Sequence, residues 1–248
     1  MNLLSRRSVL VTAGLLALLA GLVANFPARV ALAWFAPPEV QAWGVDGTIW
    51  DGRVTELALG ERPLGGLSWT ARPARLLALR PTWEFSMRRP DGYIRGEAGF
   101  SLLGQRQYLN DLEASLSLAT LPPAIVPIGV SGELRLSLQR LELVNGWPTA
   151  LAGSAAVAEL QLPGVIMPLG PFSFNFPAQP GPPVGEIVST GGPLAVDGRI
   201  ELPEPNRWHF SAELAPGENP PRELVDGLAF VGEDLGGGRR LLVLSSEP

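Results

Sequence analysis

Residues 8–28, from Ser8 to Ala28, form an uncharged run, SVLVTAGLLALLAGLVANFPA. At about 1.5 Å per helical residue it matches the ~30 Å hydrocarbon core of a bilayer. Arg6 and Arg7 precede it directly, and such charge is normally held on the cytoplasmic side. The expected order is therefore a cytoplasmic segment over 1–7, a transmembrane helix over 8–28, a juxtamembrane linker over 29–42 and a body over 43–248 on the opposite face. In a bacterium this is a single-pass inner-membrane protein with its C-terminal domain in the periplasm. Two other readings of the run are a cleaved secretory signal ending near Ala31-Leu32-Ala33 and a twin-arginine signal built on Ser5-Arg6-Arg7-Ser8-Val9-Leu10. A signal's apolar region typically spans about 7–15 residues, and this one is longer, which favours an uncleaved anchor.

Beyond the run the chain reads as β structure. Val45–Val54 combines alternation with Asp46-Gly47 and Asp51-Gly52, which predicts strand and turn together. Trp83, Phe85 and Met87 share one face of a strand, Pro90-Asp91-Gly92 turns it, and Ile94, Gly96, Ala98 and Phe100 return. Leu112, Ala114, Leu116 and Leu118 alternate next. Leu134, Leu136 and Leu138 give way to Leu141 and Leu143 of the other parity, which predicts a bulge near Gln139-Arg140. Asn145-Gly146 is a hairpin dipeptide, with Ala150–Leu162 as the returning partner. Pro163–Pro183 predicts an irregular edge segment despite its three phenylalanines. Leu194–Leu202 and Trp208–Leu214 form another hairpin, Pro221–Phe230 a short helix, and Arg239–Leu244 a closing strand. A brief helix or turn is expected at Leu76–Leu79. The fold class is thus mainly β: one N-terminal helix, then a curved, mostly antiparallel sheet with one or two short helices.

Composition removes several kinds of chemistry. The 19 basic residues are all arginine against 24 acids, for a net charge of -5, so no dense basic patch exists to neutralise a run of phosphates, and no nucleic-acid partner is expected. Without lysine there is neither Schiff-base chemistry nor a P-loop. Without cysteine there is no disulfide, thiol nucleophile or cysteine metal site. His209 is the sole histidine; it lacks partners for a zinc site, and no G-x-S-x-G elbow accompanies it. Asp51, Asp91 and Asp197 each precede glycine, which reads as turn chemistry rather than a paired acid and base. No catalytic, cofactor-binding or metal residue is therefore assigned, no cofactor is expected, and the protein is expected not to be an enzyme. Trp50-Asp51-Gly52 is either a turn with Trp50 covering the sheet end or a docking point for a partner.

The box Gly47-Thr48-Ile49-Trp50-Asp51-Gly52, followed by Leu67-Ser68-Trp69, Pro73-x-x-Leu76-Leu77, Gly132-Glu133-Leu134 and a glycine-rich stretch before Arg240-Leu241, resembles the type II secretion system protein N family. The resemblance implies an accessory, non-catalytic inner-membrane component of the apparatus that exports folded proteins across the outer membrane, with other secretion subunits as partners. The leucine-alternating strands behind one anchor are also similar to AsmA-like proteins, which implies lipid as a further partner and a lipid-binding or lipid-transfer module as the alternative function.

Overall fold

The computed structural model describes residues 3–76, 78–121, 126–165 and 167–246, with the side chains of 3–10 outside that description. The side chains of Arg6, Arg7 and Ser8, together with Leu77, Pro122 and Pro123, accordingly fall outside it. Helix α1 runs Leu3–Ala24 and α2 runs Ala28–Phe35. The break between them falls at Pro27, whose extended backbone precedes the first turn of α2, as proline favours. Among the described residues no helix is long and apolar enough to cross a membrane, so the anchor expected over 8–28 is not shown by α1. Half of the expected linker, up to Phe35, is helical, and the first strand begins inside it at Val40.

Among the described residues, fourteen strands make one open antiparallel sheet. They are β1 (Val40–Gly47), β2 (Asp51–Leu59), β3 (Arg62–Ala71), β4 (Thr82–Arg89), β5 (Gly92–Phe100), β6 (Arg106–Ser117) and β7 (Ser131–Val144). The second half holds β8 (Trp147–Gln161), β9 (Phe172–Phe176), β10 (Val184–Ser189), β11 (Leu194–Glu204), β12 (Arg207–Pro216), β13 (Glu233–Gly236) and β14 (Arg239–Ser245). Spatial order follows chain order, except that β14 lies between β12 and β13. Besides α2, the short helices among the described residues are α3 (Pro73–Leu76), which ends where the expected Leu76–Leu79 segment begins, α4 (Arg222–Leu228) and a 3-10 turn at Leu118–Thr120. Asn145 and Gly146, both at positive φ, close the β7–β8 hairpin, the conformation their dipeptide favours. The expected bulge is present as a register shift between Leu138 and Arg140, and it restores Leu141 and Leu143 to the apolar face.

The register lays one apolar row across the sheet: Val45, Val54, Leu67, Met87, Ile94, Ala114, Leu136, Ala155, Phe174, Ile187, Gly198, Ala212 and Leu242 are successive cross-strand neighbours from β1 to β14. The adjacent row on the other face is polar from Arg53 through Ser68, Ser86, Arg95 and Glu113 to Ser137 and Ser154. Among the described residues, two clusters of buried apolar side chains cover the apolar face locally. One joins Leu118, Val130 and Val157; in the other, Leu228 of α4 packs on Ala212 and Leu214 of β12. The chain exposes 15904 Å², against about 10,600 Å² for a compact monomer of its size. A projecting helix and a sheet without a second layer account for the excess.

Two expectations are corrected. Pro163–Pro183 is not an edge segment, because β9 sits inside the sheet between β8 and β10. Its phenylalanines alternate onto the apolar face opposite small residues, Phe174 facing Ala155 and Phe176 facing Gly153, so rings fill the space that β8 leaves. Nor do Asp51 and Asp197 mark turns: both lie within strands. The glycine after each answers a close approach, since a Cβ at Gly52 would meet the Trp69 ring at 2.5 Å and one at Gly198 the Ala212 Cβ at 2.9 Å. Asp91 does sit in its turn.

Gly153 carries the same kind of constraint in mid-sheet. Its φ is +145°, and an added Cβ would press on the Ser137 carbonyl and approach the Leu138 Cα to 2.6 Å. Gly153→Ala is expected to cost about 2 kcal/mol, read as a lower urea midpoint. Gly104→Ala, with no atom within 4 Å, is expected to stay within about 0.5 kcal/mol of the parent; equal midpoints for the two variants would contradict the tight β7–β8 approach.

Candidate functional site

The G-T-I-W-D-G box is where helix and sheet are fastened together. Gly47 ends β1 with φ +89°, and a Cβ there would strike the Asp51 carbonyl. Thr48 then accepts through Oγ1 from the amides of Trp50 and Asp51, each at 3.2 Å, which holds a tight side-chain turn. Ile49 donates its amide to the Phe26 carbonyl at 3.0 Å, and Thr48 forms an isolated bridge with Pro27. Asp51 opens β2 and accepts from the Thr70 hydroxyl at 3.0 Å.

Three indoles close the arrangement. Trp50 Nε1 donates to the Val23 carbonyl near the end of α1 at 2.8 Å, a second donor on an acceptor that also takes the Phe26 amide at 3.3 Å. Trp69 Nε1 donates to the Thr48 carbonyl at 3.2 Å and Trp83 Nε1 to the Ile49 carbonyl at 2.8 Å. The Trp50 and Trp83 rings stack at 6.3 Å with 14° between planes, and Trp83 stacks on Phe100 at 6.0 Å. Trp50, Trp69 and Trp83 are half-buried, with their polar atoms spent on backbone carbonyls, so the box acts as an intramolecular clasp. Trp50 covers the sheet end as one reading of the sequence had it, but the turn lies at Thr48–Trp50, one step before Asp51-Gly52.

The other isolated polar residues go to separate places. His209 is exposed on β12 between Glu201 and Ser245. Asp234 accepts from the Gly236 amide and pairs with Arg240 at 3.4 Å. Asp91 is drawn into a second clasp at the opposite sheet end: Arg89 Nε donates to it at 2.9 Å, Thr120 donates its hydroxyl, and the Ser117 amide donates at 3.2 Å. Burial alone raises the Asp91 carboxyl, but the hydrogen bonds from Arg89, Thr120 and Ser117 and the Arg89 charge outweigh it and hold the pKa at about 2. Sequence reasoning missed this clasp, because Thr120 lies 29 residues from Asp91 and no local spacing announces their meeting.

Fold and clasp together define a single-sheet β protein fastened to an N-terminal helix. A family model described as type II secretion system (T2SS), protein N, matches residues 38–243, and the chain belongs to that family. It is similar to the type II secretion system protein N of Aeromonas hydrophila, with 29% identity over 235 residues covering 91% of this chain and 92% of the relative. The protein of the same name from Vibrio cholerae serotype O1 is 26% identical over 235 residues, covering 90% and 91%. No solved structure matches significantly.

Proposed function

We propose that the chain is an accessory, non-catalytic inner-membrane component of the type II secretion system, docking other subunits during export of folded proteins. In this reading α1 is the membrane anchor, residues 1–7 face the cytoplasm and the sheet lies in the periplasm. Family membership supports the system, and the clasp carries the scaffolding role: a Trp50 bond to the last turns of α1 holds the sheet to its tether, so that subunits bound along it have a set position. The surfaces offered are the sheet edges. Among the described residues β1 has a strand partner on one side alone, and β13 covers β14 only from Arg239 to Leu241, leaving unpaired backbone groups that another strand can use.

Trp43, half exposed on β1, is a better site for a photoreactive residue than Trp50, whose indole is engaged internally. In cells, the Trp43 probe is expected to capture a secretion subunit. Full secretion by the probe-bearing chain with no such capture would count against docking at this edge.

A second reading, an AsmA-like lipid-binding or lipid-transfer module, is favoured by the apolar row that crosses thirteen strands without a second layer. Crosslinking with a photoreactive phospholipid separates the two, since lipid captured on the apolar row, at Leu136 or Phe174, belongs to the second reading alone, whereas lipid held by α1 is common to both.

A further inference from the structure

The strand ends nearest α1 carry a second feature. Leu102 donates its amide to the Leu79 carbonyl at 3.1 Å, and Phe100 donates to the Pro81 carbonyl at 3.2 Å, so the β3–β4 and β5–β6 loops are joined into one rim. This rim turns large apolar side chains to solvent: Leu103 is 82% exposed, Leu102 55%, Leu79 45% and Phe100 42%. Exposed leucines grouped at joined loop tips are costly in water and mark a contact surface.

The rim is continuous with the end of α1. The stack from Trp50 through Trp83 to Phe100 links the helix carbonyl at Val23 to the loop residues. Every side chain from Val11 to Ala24 is exposed, so that part of α1 projects from this end of the sheet instead of lying along it. At the α1–α2 corner Trp34 packs 5.7 Å from Phe26 and 6.5 Å from Phe35, adding aromatic surface of the kind favoured at a membrane interface. The charges agree. Arg29, Arg75, Arg80 and Arg106 are exposed and form no ion pair among the described residues, although the chain as a whole is acidic. Arg80 lies 5.4 Å over the Tyr108 ring, a contact that leaves its charge without a counterion. Apolar tips ringed by uncompensated arginines match an anionic lipid surface, where the tips enter the headgroup layer and the guanidiniums meet phosphates.

From this juxtaposition we infer that the rim formed by the loops around Leu79 and Leu102-Leu103 rests on the same bilayer from which α1 emerges, giving the sheet a second, peripheral membrane contact. The inference rests on reading α1 as the anchor. It fixes more than the clasp does: the clasp sets the sheet relative to α1, but a lone helix can itself tilt in the bilayer, whereas helix and rim together hold the sheet at one angle to the membrane.

The absence of cysteine makes the test direct. Leu103→Cys, Leu16→Cys and, at the far sheet end, Glu61→Cys are each labelled with an environment-sensitive fluorophore in the full chain, in vesicles of phosphatidylethanolamine and phosphatidylglycerol. The Leu103 probe is expected to shift to the blue and to be quenched by spin-labelled lipid, while the Glu61 probe responds only to aqueous iodide. Replacing phosphatidylglycerol by phosphatidylcholine is expected to weaken quenching at Leu103, and undiminished quenching refutes the role given to the arginines. If the Leu16 probe is lipid-quenched and the Leu103 probe stays aqueous, the rim contact is wrong and the anchor stands, the loops then serving a protein contact or none. If the Leu16 probe is itself aqueous, the anchor reading fails first.

Discussion

Trp50→Ala is expected to destabilise the protein by about 3 kcal/mol and to abolish secretion activity together with that stability. The substitution removes a half-buried aromatic body stacked on Trp83 and a hydrogen bond into the end of α1, losses that place it at the lower end of the range for tryptophan truncations. Trp50→Phe separates the two contributions. It keeps a smaller ring for the stack and drops the indole N–H, so about 1 kcal/mol is expected, with the Val23 carbonyl retaining the Phe26 amide at 3.3 Å. The readouts are urea midpoints and the fluorescence anisotropy of a probe on α1, which falls as the helix gains freedom when the clasp opens. Were Trp50→Ala to leave both unchanged yet stop secretion, Trp50 would be a docking residue and the clasp would have no mechanical role.

The Arg89–Asp91 clasp supplies the second large effect. The two side chains are 6% and 16% exposed, so Arg89→Ala leaves a carboxylate in a poorly solvated turn, and about 3 kcal/mol of destabilisation is expected. Double replacement, Arg89→Met with Asp91→Asn, removes both charges and is expected to cost less than the single change. The same site sets an acid sensitivity. Asp91 has a folded pKa of about 2 against an unfolded value of 3.8. A carboxyl with a depressed folded pKa contributes stability that is complete above the unfolded value and is lost as pH falls through the folded one. The contribution is about 2 kcal/mol, disappearing between roughly pH 4 and pH 2. Urea titrations across that window should show the parent losing more stability than Asp91→Asn, and parallel curves would show that Asp91 gains nothing from its partners on folding.

The strand and turn plan was legible because it depends on neighbours in sequence. Alternation placed Trp83, Phe85 and Met87 on one face, Asn145-Gly146 marked its hairpin, and the parity change after Leu138 announced a bulge that the structure contains. The readings that failed turned on distant partners. Proline and glycine around Phe172–Phe176 signalled an edge, but the rings find Ala155 and Gly153 across the β8–β9 pairing, and that complementarity outweighs the irregular flanks. Asp-Gly read as a turn at Asp51 and Asp197, yet those glycines make room for Trp69 and Ala212.

By itself, the sequence determined the β grammar, the family and the lack of lysine and cysteine chemistry, because periodicity, motif and composition are properties of a chain before it folds. Only the tertiary structure decided that the tryptophan box grips the end of α1, that Arg89, Asp91 and Thr120 share one site, and that Leu79 and Leu102 meet on one rim. Each of those depends on which strand ends the register brings together, and register is the sum of every bulge and turn along the sheet, which no local stretch of residues encodes.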